Sequence, residues 1–448
     1  MPSTIIDSAI FRDIFSTEAM RHVWSDETRT TKYLEIEAAL AKVQGQLGLI
    51  PAEAADEIVS NCKLEKIDMV KLKAQTERIG YPILGVVSQI NLLCRDKLGE
   101  YCHWGATTQD ITDTATVLQI RDALLIVDDE LRQIGDAMAD LARKHRDTPM
   151  VGRSNLQQAV PVTFGYKVAG LLAAIIRHRE RLAQIRARVL QGEFAGAAGT
   201  LASLESGAME TQAGLCKELG LAQPVIAWHT VRDTIAEVGT FLGLVGGTLG
   251  KLSMDVKLLM QTEVGEVYEP YAHGRGSSST MPQKRNPISS CYIHAQISMV
   301  RQHAAAMLDA MVADHERSTG PWEIEWIALP EAFCLLAGAL SQSKFVLTGL
   351  EVDVKRMRAN LDMTHGLVVS EAVMMGLAPY IGREYAHDLV YDICRVAIAT
   401  ERPLLDLLAE NTEITGHVTR EQLAAMCDPA AYLGQSGVMV DRVLAQWK

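Results

Sequence analysis

The sequence predicts an all-α protein, and three observations carry that prediction. Apolar residues recur at three-and-four spacing over long stretches. No run alternates apolar and polar residues between hairpin turns, and no glycine fingerprint of a dinucleotide-binding unit is present. The stretch TATVLQIRDALLIVDDELRQIGDAMADLARKH (114–145) keeps its spacing without an internal Gly-Pro stop. YKVAGLLAAIIRHRERLAQIRARVL (166–190) repeats the pattern, with a basic half that reads as a solvated or subunit-facing stripe. A third long helix is expected from about Thr230 to Gln261, where VGTFLGLVGGTLGKL is apolar almost all round. A helix without a wet face is buried within a bundle or between subunits. Along the chain these features predict short helices over 1–110, a central long-helix bundle over 111–350 and a smaller helical cap over 351–448.

With 448 residues, 48% of them hydrophobic, the chain can bury a substantial core. A formal net charge of −12 argues against nucleic acid or an anionic membrane as partner, but leaves room for a small anionic substrate in a locally positive pocket. The eight cysteines lie in apolar surroundings such as INLLCRD and EAFCLLAG, without the close pairs that bind zinc or do redox work. They read as reduced thiols. The opening MPSTIIDSAIFRD lacks the basic start and apolar core of a signal peptide. The longest uninterrupted apolar runs fall short of the roughly 20 residues that span a bilayer. A cytoplasmic protein without membrane, metal or cofactor is expected.

Three turn-rich segments beside the long helices carry the chemistry. HGRGSSSTMPQKRNP (273–287) places three serines on a flexible backbone close to Lys284, Arg285 and Asn286. Lys284 and Asn286 offer a cation and an amide donor to one carboxylate. A serine there can take a proton only if donors stabilise its alkoxide. The bland alternative is a surface loop with a basic end. CHWGATTQD (102–110) sets Thr107, Thr108, Gln109 and Asp110 at a helix start, suited to a bound carboxylate or to ordinary capping. VGRSNLQQAVPVT (151–163) adds Ser154, Asn155, Gln157, Gln158 and Thr163 as a polar loop, with Arg153 nearby.

Together the three segments resemble the motif regions of the fumarase/aspartase superfamily, and SSTMPQKRNP is similar to its GSSxMPxKxNP stretch. Within it the chain looks most like the bacterial 3-carboxy-cis,cis-muconate cycloisomerases. LLMQTEVGEVYEP, WHTVRD, DHERSTGPWEIEW and DPAAYLGQ extend the resemblance over essentially the whole chain. The resemblance implies an all-helical homotetramer whose core bundle carries four composite sites, each drawing segments from three subunits. It implies Ser278 as catalytic base, Lys284 and Asn286 as substrate-carboxylate ligands, Thr107 and Thr108 as hydroxyls holding a carboxylate, and Gln158 and Thr163 as second-region binding residues. The family chemistry removes a proton beside a carboxylate, giving an aci-carboxylate dianion, and then expels the group on the neighbouring carbon. No cofactor is implied, and a role in aromatic catabolism would follow from a muconate substrate.

Three departures from the family pattern matter. Position 277 is Ser where most relatives have Gly, and Gln283 stands where cycloisomerases often have His. The His–Glu acid pair of fumarases and adenylosuccinate lyases is replaced by Asn155 or Gln158 and by Cys291. A neutral amine or hydroxide leaves only with a general acid, whereas a carboxylate, whose conjugate acid has a pKa of about 4, leaves without one. The missing pair therefore fits a cycloisomerase better than adenylosuccinate cleavage. His103 and His315 are the first histidines to consider as an acid or orienting group, and Arg317 and Arg232 are candidates for extra carboxylates, with a buried ion pair as the alternative. The sequence reading is a lyase or cycloisomerase acting on a polycarboxylate, first 3-carboxy-cis,cis-muconate. The alternatives are a fumarate-releasing C–N lyase on an N-substituted aspartate and a catalytically silent helical scaffold.

Overall fold

The computed structural model describes residues 3–204, 206–271 and 273–447. The protein is all-α: the helices Thr108–Lys144, Phe164–Val189 and Asp233–Leu259 cover the three periodic stretches. Its chain forms two units, the first from Met1–Glu130, His178–Leu249 and Tyr292–Ser341, the second from Leu131–Arg177, Gly250–Cys291 and Gln342–Lys448.

In the first unit the Asp26–Gln46 helix runs for 21 residues, longer than the short helices expected over the first 110. Ser25 starts it by accepting from Thr28 N at 3.2 Å, and Asp26 and Glu27 sit where the helix dipole favours acids. Its core face buries Tyr33, Leu34, Ile36 and Leu40. Gly45 lets it meet the Ala52–Asn61 helix, because a Cβ there would lie 2.6 Å from the Ala55 methyl. The Pro321–Thr348 helix carries Pro330 within it and buries Phe333, Leu336 and Leu340. Only one ladder N–H is lost at Pro330, and the apolar packing on either side of it keeps the helix continuous.

Two helices, Asp233–Leu259 and Pro321–Thr348, are long and apolar enough by composition to cross a bilayer, although no uninterrupted apolar run is. In each, most of the apolar window (56% and 67%) is buried inside the fold, the pattern of a core helix.

In the second unit the segment expected as a loop, VGRSNLQQAVPVT, is an antiparallel hairpin of strands Pro149–Ser154 and Gln157–Thr163. Asn155 and Leu156 form its two-residue turn with φ of 50° and 64°, the left-handed pair that lets a tight hairpin follow the strand twist. A second short pair joins Val267–Tyr268 to Glu351–Val352. Val373, Leu377, Val390, Leu404, Leu408 and Leu423 make a separate buried cluster in the C-terminal helices. All eight cysteines are free thiols.

Candidate functional site

The sequence-predicted residues fall into three groups, one in the first unit and two in the second. In the first unit the Thr108–Lys144 helix opens on a fully buried carboxylate, Asp110. It accepts from Thr107 N at 2.9 Å, Ala195 N at 3.1 Å, Gly196 N at 3.0 Å and His229 Nε2 at 2.7 Å. Gln109 donates to the His229 carbonyl at 2.8 Å and to Asp113 at 3.0 Å. Its own oxygen accepts from Arg317 Nε at 2.8 Å, and Arg317 Nη1 reaches the Thr107 hydroxyl at 2.9 Å. Thr107, Gln109 and Arg317, some 210 positions apart in the chain, thus form one cluster. Thr108 is half-buried beside it as the first helical residue.

Arg232 lies behind that cluster's Gln109, on the far side of Asp113 in the hydrogen-bond chain. It is buried, with its guanidinium shared between Asp113 (2.7 and 2.9 Å) and Glu325 (2.8 and 2.6 Å). Trp322 Nε1 also donates to Asp113 at 2.9 Å. Of the two roles open to Arg232 in the sequence, the buried ion pair is the one it has.

His103 Nδ1 lies 2.6 Å from Glu37 Oε1, and Glu37 is fully buried. Burial alone would lower the imidazole pKa, but the charge and hydrogen bond of Glu37, with Asp110 behind, raise it overall. Held against Glu37 in this way, the His103 ring is fixed in place, which suits an orienting role. His315 is exposed at φ 51° in a loop turned by Asp314, which accepts from Thr319 N at 2.8 Å and Thr319 Oγ1 at 2.7 Å.

Asp110, Glu193 and His229 bring their side-chain atoms within 4.8 Å of one another, close enough to consider a cation. The donor set fits one poorly. Asp110 already serves four N–H groups, and Glu193 accepts from Trp228 N at 2.7 Å. Burial, aided by the nearby Asp110 and Asp113 charges, pushes the Glu193 carboxyl up to about 9 against the pull of that N–H and of Arg232. A neutral acid is a weak metal ligand, so the trio reads as a polar core that fixes the helix start.

In the second unit the serine loop is closed by Asn286, whose N and Nδ2 both donate to the Gly276 carbonyl at 3.0 and 2.8 Å. Gly276 has φ 67°, and a Cβ there would lie 2.7 Å from the Asn286 carbonyl oxygen, so glycine is required for this closure. Arg285 anchors the loop to Glu351 at 2.8 and 3.0 Å. Glu269, which is buried, caps the Ile288–Asp309 helix through Ser289 N (3.1 Å), Ser290 N (2.8 Å) and Ser290 Oγ (2.7 Å). Lys284 is exposed, and Cys291 is exposed in the first turn of that helix.

The three serines differ in their surroundings. Ser277 Oγ donates to the Gly274 carbonyl at 2.9 Å, which commits its proton and disfavours an alkoxide. Ser278 Oγ instead accepts from Met281 N at 3.1 Å and Thr280 N at 3.3 Å, and is half-buried. Backbone N–H groups aimed at an oxygen favour negative charge on it. Ser279 is exposed.

The hairpin residues form the third group. Gln158 Nε2 donates to the Asn360 carbonyl at 2.9 Å, while its Oε1 is buried without a donor among the described residues. Arg153 grips the fully buried Glu266 at 2.7 and 2.9 Å, and Asn360 Nδ2 reaches the same carboxylate at 2.7 Å. Thr163 is 1% exposed, and its hydroxyl caps the Phe164–Val189 helix by accepting from Tyr166 N at 3.1 Å. Asn155 is exposed in the turn.

Sequence reasoning missed the buried acids that set these groups in place: Glu37, Asp113, Glu193, Glu266, Glu269 and Glu325. Most of their partners lie 20 to 119 positions away, so no local pattern announces them.

A family profile described as "Lyase" matches residues 11–301, and one described as "Adenylosuccinate lyase C-terminus" matches 366–443. The chain is 55% identical over 446 residues to trans-aconitate decarboxylase 1 of Mycosarcoma maydis, an alignment covering 100% of this chain and 90% of that one. It is 45% identical over 447 residues to the 3-carboxy-cis,cis-muconate cycloisomerase of Pseudomonas aeruginosa, covering 99% and 97%. The crystal structure of the 3-carboxy-cis,cis-muconate lactonizing enzyme of Pseudomonas putida matches with a TM-score of 0.94 at 42% identity, covering 98% of this chain and 99% of that one.

Proposed function

Because the chain belongs to the lyase family, as an enzyme of the fumarase/aspartase superfamily, we propose that its substrate is an unsaturated tricarboxylate and that its reaction passes through an aci-carboxylate without needing a general acid for the leaving group. The observation that carries this reading is the contrast between an equipped Ser278 and an absent acid. Ser278 Oγ receives two backbone N–H groups, while the acid positions hold Asn155 or Gln158 and Cys291.

Decarboxylation of trans-aconitate ranks first, supported by the 55% likeness to a decarboxylase of that substrate, a reaction the sequence reading did not weigh. The bond from the allylic CH2 to its carboxylate breaks, and CO2 leaves. The electron pair spreads through the double bond onto the far carboxylate as an aci-carboxylate. Ser278 Oγ–H then gives its proton to the carbon beside that carboxylate, and the serine is reprotonated from solvent. The balance is one CO2 lost and one proton gained, giving methylenesuccinate. CO2 departs without protonation, so the missing His–Glu pair is no handicap.

Lactonisation of 3-carboxy-cis,cis-muconate is the second reading, supported by the 45% likeness to a cycloisomerase. A carboxylate oxygen adds to the double bond, charge collects on the neighbouring carboxylate, and the same serine protonates the α carbon. Aromatic catabolism would be its setting. Fumarate release from an N-substituted aspartate ranks third, because an amine needs the acid that is absent. The silent-scaffold alternative falls with the family assignment.

The holding residues in this account are Arg317, Thr107 and Thr108 for one carboxylate and Lys284 with Asn286 for another, with Gln158 and Thr163 shaping the hairpin. A homotetramer would bring the segments together from three subunits. Apolar side chains left exposed on the long helices, such as Leu244, Met299 and Leu308, support burial against other copies. A cytoplasmic location is proposed with it. The test is to incubate the purified protein with each tricarboxylate, following methylenesuccinate by proton NMR and muconate by its diene absorbance. Turnover of neither would overturn the tricarboxylate reading.

A further inference from the structure

A sizeable cavity lies away from the serine loop. It lies within the first unit and measures about 500 Å3, room for a molecule of one or two rings. Three aromatic side chains wall it: Trp24 at the end of a short helix, Tyr33 on the Asp26–Gln46 helix and Trp326 on the Pro321–Thr348 helix. Leu72, Leu329 and Met69 complete the apolar surface.

The lining also carries several uncharged polar groups. Thr30, Thr112 and Thr116 carry hydroxyls, and those of Thr112 and Thr116 donate to the Thr108 and Thr112 carbonyls at 3.0 and 2.9 Å. Burial pushes the Tyr33 phenol up to about 12, against the opposing pull of Arg29, so it stays neutral. The indole Nε1 atoms of Trp24 and Trp326 are buried and have no acceptor among the described residues. One carboxylate, Glu325, reaches the wall, and Arg232 neutralises it at 2.6 and 2.8 Å. At the rim Lys73 lies 3.6 Å from Glu77, and Asp26, Glu27 and Arg29 also line the space. Three acids of the lining, Asp26, Glu27 and Glu77, outnumber the cations Arg29 and Lys73, which disfavours a polycarboxylate. An uncharged aromatic ring matches the aromatic and aliphatic walls.

We propose that this cavity is a binding site for an uncharged aromatic molecule, separate from the residues that hold the tricarboxylate. Glu325 in its wall is tied through Arg232 and Asp113 to Gln109, and Gln109 accepts from Arg317. Side-chain hydrogen bonds thus run from the cavity wall to the proposed carboxylate-binding end of the same unit.

The proposal is tested on the intact protein by isothermal titration with acetophenone and with benzoate, which has the same number of heavy atoms but carries a charge. Acetophenone should bind once per chain with a Kd below about 1 mM, and benzoate at least about tenfold more weakly. Thr116→Trp and Met69→Trp fill the cavity from two different helices, and each should weaken acetophenone by about tenfold or more while circular dichroism stays unchanged. Tricarballylate, a saturated tricarboxylate, should not displace acetophenone from the wild-type protein. Failure of acetophenone to bind, binding undiminished in a folded filling variant, or displacement by tricarballylate would each overturn the proposal. Because acetophenone binding is read directly, the result stands apart from whether either tricarboxylate is turned over.

Discussion

The two best-equipped groups of residues are built in opposite ways. In the first unit, Thr107, Gln109 and Arg317 are locked by side-chain hydrogen bonds to one another and, through Asp113, to a buried Arg232–Glu325 pair. In the second, Ser278 is held by local backbone N–H groups in a glycine-hinged loop closed by a few bonds, chiefly Asn286 to Gly276 and Arg285 to Glu351. The first arrangement suits holding a charge in a fixed place. The second suits a group that must approach, exchange a proton and withdraw. On this view binding and chemistry are divided between a rigid cluster and a lightly anchored loop.

Substitutions that separate the two should break or sharpen the comparison, and the largest effect is expected in the loop. Ser278→Ala should lower kcat by about a thousandfold, as loss of a proton-transfer group does, with the melting temperature unchanged. Ser277→Ala, whose hydroxyl only donates to Gly274, should leave kcat nearly intact. Steady-state kinetics on both variants checks the assignment, and equal losses would remove the distinction between the serines.

The next largest effect should fall on stability in the rigid cluster. Arg232→Met leaves Asp113 and Glu325 buried without their cation, so the unfolding free energy measured in urea should fall by about 3–5 kcal/mol. Arg317→Met, at a half-buried position, should instead raise KM about tenfold or more with little change in melting temperature. If Arg317→Met lowered kcat alone, Arg317 would belong with the chemistry rather than the holding.

A smaller effect is expected in the pH dependence of stability. The Glu193 carboxyl titrates at about 9 in the folded chain and near 4.3 when unfolded. Between those values the folded state keeps a proton that the unfolded state has lost. Its contribution is fully present below the unfolded pKa and fades as pH rises towards the folded one. Glu193→Gln should therefore melt higher than wild type at pH 8 and alike at pH 4, seen by thermal unfolding. A variant no more stable at pH 8 would mean that Glu193 is ionised in the fold.

Much of this was legible in the sequence because it is written locally. The long helices follow from unbroken apolar periodicity, and the segments GATTQD and SSTMPQKRNP carry their chemistry in adjacent residues. The hairpin at 149–163 was not legible. Its turn uses Asn155-Leu156 rather than a glycine pair, and its outer strand ends are polar and exposed, so it lacks the usual hairpin signal. Arg232 stood between two roles until Asp113, 119 positions away, decided it. Separations of 35 and 21 positions likewise hid Glu193 and Glu269, whose importance lies in which backbone N–H groups they meet.

The division of labour is tested most directly by measuring binding and turnover on the same two variants. Tricarballylate binding by calorimetry and CO2 release from trans-aconitate would be followed for wild type, Ser278→Ala and Arg317→Met. The account predicts that Ser278→Ala binds tricarballylate as wild type does yet releases CO2 about a thousandfold more slowly, while Arg317→Met binds weakly and keeps turnover at saturating substrate. Ser278→Ala that still releases CO2 at the wild-type rate, or that has lost tricarballylate binding, would contradict it.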